Sequence, residues 1–352
     1  MKKWLLIAGV VLVLLLVVSS FVLTRPAFDA RLEGDPLQGL KILPLEQGLT
    51  LARSSSEETT RLLLVREATS EGLKVVDVGR ATGRPLDDPM VALTLFGYDE
   101  LDYIARKGVE ELVSIDTLTV PLVAGESHIA AGTNYKAHAE ETGIEGGPFL
   151  FPKLTTATGW NAAVPMRTRL DYEAELCAVP LSRVISGGEV QFGYVLCNDF
   201  TDRWPLARDV DFDQPMGTTG FPEGKGGPGM MPLGPFLLVP RDHKGFYPEV
   251  ELELYLNGDL RQKSMAGLMI WSPQEIAEQA LAACEQDYIK GEEKLRLVDC
   301  EGISGGSILL TGTPEGVLMH QATIWNPLAY LRTGDEVILR ARYCGVLRNV
   351  VE

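Results

Sequence analysis

Residues 170–179 read LDYEAELCAV. Apolar and polar residues alternate, which predicts a β-strand. Strand side chains point to opposite faces in turn, so Asp171, Glu173, Glu175 and Cys177 would share one face. Leu170, Tyr172, Ala174 and Leu176 would share the other. Carboxylates that close repel one another and raise each other's pKa. Open water relieves the repulsion, and the stretch by itself reads most simply as a solvated strand face. A bound cation relieves it as well. The three acids are therefore also a candidate site for a hard divalent ion such as Mg2+, Mn2+ or Ca2+. The surroundings must decide.

The chain has 352 residues, enough for two domains. It carries 48 Asp plus Glu against 32 Lys plus Arg. That balance argues against a nucleic-acid partner, since phosphate binding needs basic surface. It is compatible with a small anionic substrate, because one buried cation can invert the local field. The five cysteines are Cys177, Cys197, Cys284, Cys300 and Cys344. Their number is odd and no CxxC spacing occurs, so neither a disulfide framework nor a zinc ribbon is indicated.

Residues 4–23, WLLIAGVVLVLLLVVSSFVL, carry no charge. At helical rise they would span about 30 Å, the thickness of a bilayer core. A cleaved secretory signal is the rival reading, but Ser19-Ser20-Phe21 is a poor cleavage site. The sequence therefore predicts an uncleaved single-pass anchor over residues 1–24. Lys2 and Lys3 would stay cytoplasmic, and the rest would lie on the extracytoplasmic, periplasmic side. Residues 25–45 read as a tether. Residues 46–120 read as a small α+β domain, with apolar runs at 62–65, 73–78 and 90–96 and a helical patch at 98–107. Residues 121–352 read as a β-rich second domain with long loops.

Within that second domain a helix is predicted from Asn134, a capping residue, through AAGTNYKAHAEETG. It would put His138 and Glu141 three apart on one face. A carboxylate beside an imidazole can hold it as a general base, though such pairs are also ordinary surface contacts. Asp199, at the end of the run GYVLCNDFTDRWP, is a further oxygen ligand candidate, or a turn residue. Lys225 lies in a Gly-rich loop that lacks phosphate-loop spacing. Glu251 and Glu253 repeat the alternating acids with no chemistry nearby and read as a solvated sheet face. Ser272, Pro273 and Glu275 form a helix start, with the helix running through Ala283.

Taken in order, GTNYKAHAEE, PFLFPKL, LDYEAEL, GYVLCNDFTDR, GK followed by MPLGPFLL, LYLNGDLRQ, ILLTGTPEGV and LRTGDEVIL resemble the fumarylacetoacetate hydrolase superfamily from about residue 125 to 352. The resemblance implies a mixed β-sandwich roll, a homodimer and a bound Mg2+ or another divalent ion. It implies that Glu173, Glu175 and Asp199 are the metal ligands, with Asp171 supporting. It makes His138 and Glu141 the water-activating pair on a mobile lid and Lys225 a catalytic lysine. Tyr135, Lys153, Arg203 and Thr313 take the place of substrate-binding residues. The implied activity is hydrolysis of a C–C bond in a 1,3-diketo or 2-oxo acid of acylpyruvate or fumarylacetoacetate type, the cation stabilising the enolate that cleavage generates. Lyase, hydratase, decarboxylase or isomerase chemistry at the same site, or a non-catalytic ligand-binding homologue, are the alternatives. Trp204, Pro228 and Ala266 depart from the family pattern and point to an altered substrate wall.

Overall fold

The computed structural model of the chain describes residues 2–23, 28–56, 59–320, 323 and 326–352. Its centre is an 11-stranded sheet among the described residues. The strands lie in the order Glu110–Val113, Gly72–Asp77, Thr60–Thr69, Gly48–Ser55, Leu237–Pro240, Phe192–Asn198, Ala174–Pro180, Leu309–Leu310, Ser127–Gly132 and Phe149–Leu154, with Leu118–Thr119 beside Gly48–Ser55. Neighbours are antiparallel except Leu309–Leu310 against Ser127–Gly132, so the sheet is mixed. A second, four-stranded antiparallel sheet is formed by Asp259–Met265, Glu251–Leu256, Glu336–Ala341 and Gly345–Val350. The β-rich α+β fold expected from the sequence is present.

The acidic stretch sits in the middle of the large sheet. It is two strands rather than one, Leu170–Asp171 and Ala174–Pro180. All residues from 170 to 180 are buried, so the solvated-face reading fails. The reason is that both faces of this sheet are covered. Ala174, Leu176 and Ala178 pack into one core, whereas Cys177 and Val179 pack into another. A strand covered on both sides reads apolar at every position, and here it hides its carboxylates with the rest. Burying a leucine such as Leu176 contributes roughly 2 kcal/mol, which helps offset placing acids in that layer. Glu251, by contrast, is exposed, and Glu253 is half-buried between Lys263 and Arg340.

Several local expectations are corrected. The apolar run 90–96 and the helical patch 98–107 belong to one helical segment, Pro89–Lys107, capped by Asp88 and broken at Gly97 (φ 70°). The helix expected from Asn134 is Lys136–Thr142, and its N-terminal cap position holds Tyr135 with no side-chain bond. Ser272 caps Pro273–Ala282 with the expected reciprocal bond to Glu275. Two disulfides, Cys177–Cys197 and Cys284–Cys300, were not foreseen. Their partners are 20 and 16 positions apart, and sheet register and loop packing, not local spacing, bring them together. Cys344 is the free, buried thiol.

The membrane anchor is overturned. Among the described residues no helix is long and apolar enough to cross a membrane. A helix does form over Lys2–Leu23. The membrane as a partner and the single-pass, extracytoplasmic location fall with the anchor. Residues 24–27, where the tether was expected to begin, lie outside the described residues. From Phe28 onward the segment packs on the second sheet. Arg31 pairs with Asp259 at 2.9 Å, and Phe28, Leu32, Leu37 and Leu40 cover Tyr255, Leu260, Ile338 and Val346.

Candidate active site

The strand Ala174–Pro180 pairs with Phe192–Asn198 in a register that sets Ala174 opposite Asn198 and Glu175 opposite Cys197. Asn198 Oδ1 accepts from Glu173 N at 2.9 Å, and Asp199 N donates to the Glu173 carbonyl at 3.0 Å. This pairing brings Glu173, Glu175 and Asp199 together. One carboxylate oxygen from each lies within 4.8 Å of the others, and all three residues are buried. Cys177 and Cys197 approach Glu175 as closely, but their sulfurs are bonded to each other.

Three buried cations face these acids. Lys225 Nζ donates to Glu173 at 2.5 Å and to Asp199 at 2.8 Å. Lys153 Nζ pairs with Asp199 at 2.5 Å and donates to the Phe200 carbonyl. Arg203 reaches Asp171 through Nε at 2.9 Å and Glu173 through Nη2 at 2.6 Å. Asp171 is not one of the three clustered acids. It accepts from the backbone N–H groups of Tyr172, Leu318 and Met319 and from Arg203, and so ties the loop after residue 317 to the site.

The environments separate the carboxylates. Burial would raise Glu173, but Lys225 and Arg203 outweigh it and hold it near 2. Burial, with Asp199 and Glu173 adding like charge, pushes Glu175 well above the usual carboxylate range. Burial pulls Lys153 down against the pull of Asp199. For Lys225 the burial effect is overcome by Asp199 and Glu173, and its pKa rises. Three clustered oxygen donors, one of them unable to ionise easily because of its neighbours, match what a hard divalent ion requires and would relieve. The residues fit such an ion.

Over this cluster lies the helix Lys136–Thr142. His138, buried, faces Glu141 through Nδ1 at 3.3 Å. Glu141 in turn accepts from Gly316 N at 3.0 Å, and His320 Nε2 stands 3.5 Å from its other side. Gly312 N donates to Glu175 at 2.8 Å. Both glycines have positive φ, and a Cβ would strike Asn134 at Gly312 and the Arg261 carbonyl at Gly316. The TGTPEG turn therefore presents one N–H to Glu175 and one to Glu141, a job only glycine does at these angles.

His138, Glu173, Arg203, Lys225 and Thr313 line a single cavity of about 40 Å³. Lys153 and Tyr135 do not line it. Lys153 lies beneath Asp199, and Tyr135 is buried in the turn leading to the helix Lys136–Thr142. Trp204 is 40% exposed and stacks under Arg169, while Pro228 and Ala266 are also absent from the cavity wall. The three sequence departures therefore do not alter this wall.

Residues 127–352 match the C-terminal domain family of fumarylacetoacetate (FAA) hydrolase. The chain belongs to the fumarylacetoacetate hydrolase family. Within that family of hydrolases and isomerases it is 30% identical to a 2,4-didehydro-3-deoxy-L-rhamnonate hydrolase of a Sphingomonas species, over 67% of this chain and 80% of that protein. It is 31% identical to an oxaloacetate tautomerase of Bacillus subtilis, over 63% and 68% of the two chains. Among solved structures, a fumarylacetoacetate hydrolase from Exiguobacterium antarcticum superposes with a TM-score of 0.62 at 22% identity, covering 86% of this chain and 99% of that one. A maleylpyruvate hydrolase from Sphingobium superposes with a TM-score of 0.58 at 20% identity, over 86% and 98%. At these identities the superpositions show a shared fold. That fold reaches further toward the N-terminus than the family match does.

Some residues of this family member were missed in the sequence. Asn134 bonds Trp271 N, the Trp271 carbonyl and the Thr311 carbonyl, pinning the turn before the helix Lys136–Thr142. Gln262 accepts from Ala174 N and donates to Thr313, joining the second sheet to the acidic strand. Neither carries a local signal beyond lying in a quoted motif. His320 had none at all.

Proposed function

We propose that this protein is a divalent-cation-dependent hydrolase that cleaves the C–C bond of a 2,4-dioxo (acylpyruvate-type) acid. The convergence of Glu173, Glu175 and Asp199 under a His138–Glu141 pair carries this reading. Glu173, Glu175 and Asp199 would hold the cation, which when bound supplies Lewis-acid polarisation of a carbonyl and compensation for enolate charge. Lys225 and Arg203 meet the anionic end of the substrate. Glu141 fixes the His138 ring through Nδ1, leaving Nε2 as its base. His138 takes a proton from water as the water oxygen adds to the C4 carbonyl. The C3–C4 bond then breaks, its electron pair passes to the pyruvate enolate, and the imidazolium returns a proton to C3. One water is consumed, and a carboxylic acid and pyruvate leave. Lys225 is placed to donate to the developing oxyanion.

The test is product analysis with Mg2+, a panel of 2,4-dioxo and 2-oxo acids, and isotopically labelled water. Pyruvate with one labelled oxygen in the released acid supports hydrolysis. Pyruvate without label, or enol–keto exchange alone, overturns it in favour of decarboxylation or tautomerisation. Glu173→Ala should lose Mg2+-dependent thermal stabilisation and turnover together. His138→Ala should keep the stabilisation and lose turnover by about 10²–10⁴-fold. An unchanged rate in His138→Ala removes the general base from this scheme.

A further inference from the structure

The cavity has two chemically distinct ends. At the acidic end stand Lys225, paired with Glu173 and Asp199, and Arg203, paired with Asp171 and Glu173, the two cations assigned above to the substrate's 2-oxo acid end. The remaining wall is apolar, made by Ile144, Phe149, Phe151, Leu206, Phe221 and Met319. Phe221 stacks edge-on to Phe149 with centroids 4.9 Å apart and lies 5.1 Å from Phe151. Phe149 is itself closely seated, because a Cβ at Gly132 would fall 2.4 Å from its ring. The hydroxyls of Thr133 and Thr142, which also line the cavity, are spent on the Gly147 and His138 carbonyls. Lys225 Nζ lies 5.3 Å over the Phe151 ring, which marks where the charged end gives way to the aromatic one.

This division limits what can lie beyond the dicarbonyl unit. A second carboxylate at the far end would sit on phenylalanine, leucine and methionine side chains, none of which carries a hydrogen-bond donor. An ionised carboxylate buried without a partner is strongly disfavoured. Building on the reading above, we propose that the acyl arm of the substrate is a hydrocarbon, alkyl or aryl, with no terminal carboxylate. Phe149, Phe151, Phe221 and Leu206 are the residues that enforce the choice.

Matched ligands test it on the full Mg2+-loaded chain. Calorimetry compares 2-oxooctanoate with 2-oxooctanedioate, neither of which is a 1,3-diketone. Kinetics compares 2,4-dioxooctanoate with 2,4-dioxooctanedioate. The monoacid should be preferred by at least about 100-fold in binding and in kcat/KM. Leu206→Arg should shrink that preference at least tenfold by supplying a cation to the apolar wall, and Phe221→Arg should do the same. Equal or tighter binding of the dioate by the unaltered chain overturns the proposal, as does failure to bind either probe. Preferred binding of the monoacid without cleavage of either dioxo acid leaves the hydrocarbon arm standing and removes the hydrolase reading. Cleavage with the diacid preferred does the reverse.

Discussion

Arg203→Met tests the electrostatic design of the site. In the folded chain Asp171, Glu173, Glu175 and Asp199 are buried with Lys153, Arg203 and Lys225, formally four carboxylates against three cations. Arg203 is 4% exposed and bonds two of those acids, at 2.9 and 2.6 Å. Methionine would fill much of the space and remove the charge. Removing one partner of a buried pair costs about 3–5 kcal/mol, because the abandoned charge stays buried. Urea unfolding in EDTA, followed by tryptophan fluorescence, should show a loss of that size. Saturating Mg2+ should recover more stability in Arg203→Met than in the unaltered chain, since the cluster is then two charges short. Arg203→Lys should fall between, keeping the charge but not the two-pronged geometry. A variant within about 1 kcal/mol of the parent in EDTA would show that the guanidinium does not compensate these acids, and the charge argument would be wrong.

Other predictions concern residues around that centre. His128 is 3% exposed, bonds the Thr155 carbonyl through Nε2 at 2.9 Å, and is lowered by burial from 6.5 to about 4. Its unfolded form therefore takes a proton first as pH falls. The resulting stability is complete above pH 6.5 and declines between 6.5 and about 4, by about 3 kcal/mol. His128→Gln should flatten that part of a stability–pH curve, and an unchanged slope would place the titration elsewhere. His320→Ala removes the second imidazole from Glu141. It should lower kcat by roughly tenfold with Mg2+ stabilisation intact, as for other groups that orient a catalytic residue; a change in KM alone would assign it to substrate binding. Asn134→Ala cuts three bonds in the turn before the helix Lys136–Thr142. It should destabilise by about 1–3 kcal/mol in thermal or urea unfolding, because the Trp271 and Thr311 backbone groups are left unpaired; no change would mean that water replaces the amide.

The sequence made some of this site legible and hid the rest for identifiable reasons. Alternation put Asp171, Glu173 and Glu175 on one face of one strand, and the resemblance added Asp199; the structure breaks that strand at Tyr172 and Glu173. Alternation alone could not say that both faces of the large sheet were covered, because the covering layers come from residues far away in the chain, such as Leu101 and Leu252. Asn134 looked like a helix cap because capping is local, yet its amide is claimed by Trp271, 137 positions on. The sequence shows the helical patch at 98–107 only, whereas Asp88 and Pro89 start the helix before the apolar run 90–96. The disulfides depend on which strands become neighbours, a question of register that cysteine spacing does not answer. The long apolar run near the N-terminus gave a helix without giving a membrane span among the described residues.

The pairing of Gly48–Ser55 with Leu237–Pro240 has a practical consequence. Trimming the chain to the family-matched portion, from residue 127 onward, would strip a strand that contributes Leu49 and Leu51 to the interior. The segment Leu237–Pro240 would become a bare sheet margin one strand away from Phe192–Asn198. Bare margins recruit other chains. An expression fragment cut at the homology boundary should therefore clump, whereas one beginning before residue 48 should stay dispersed.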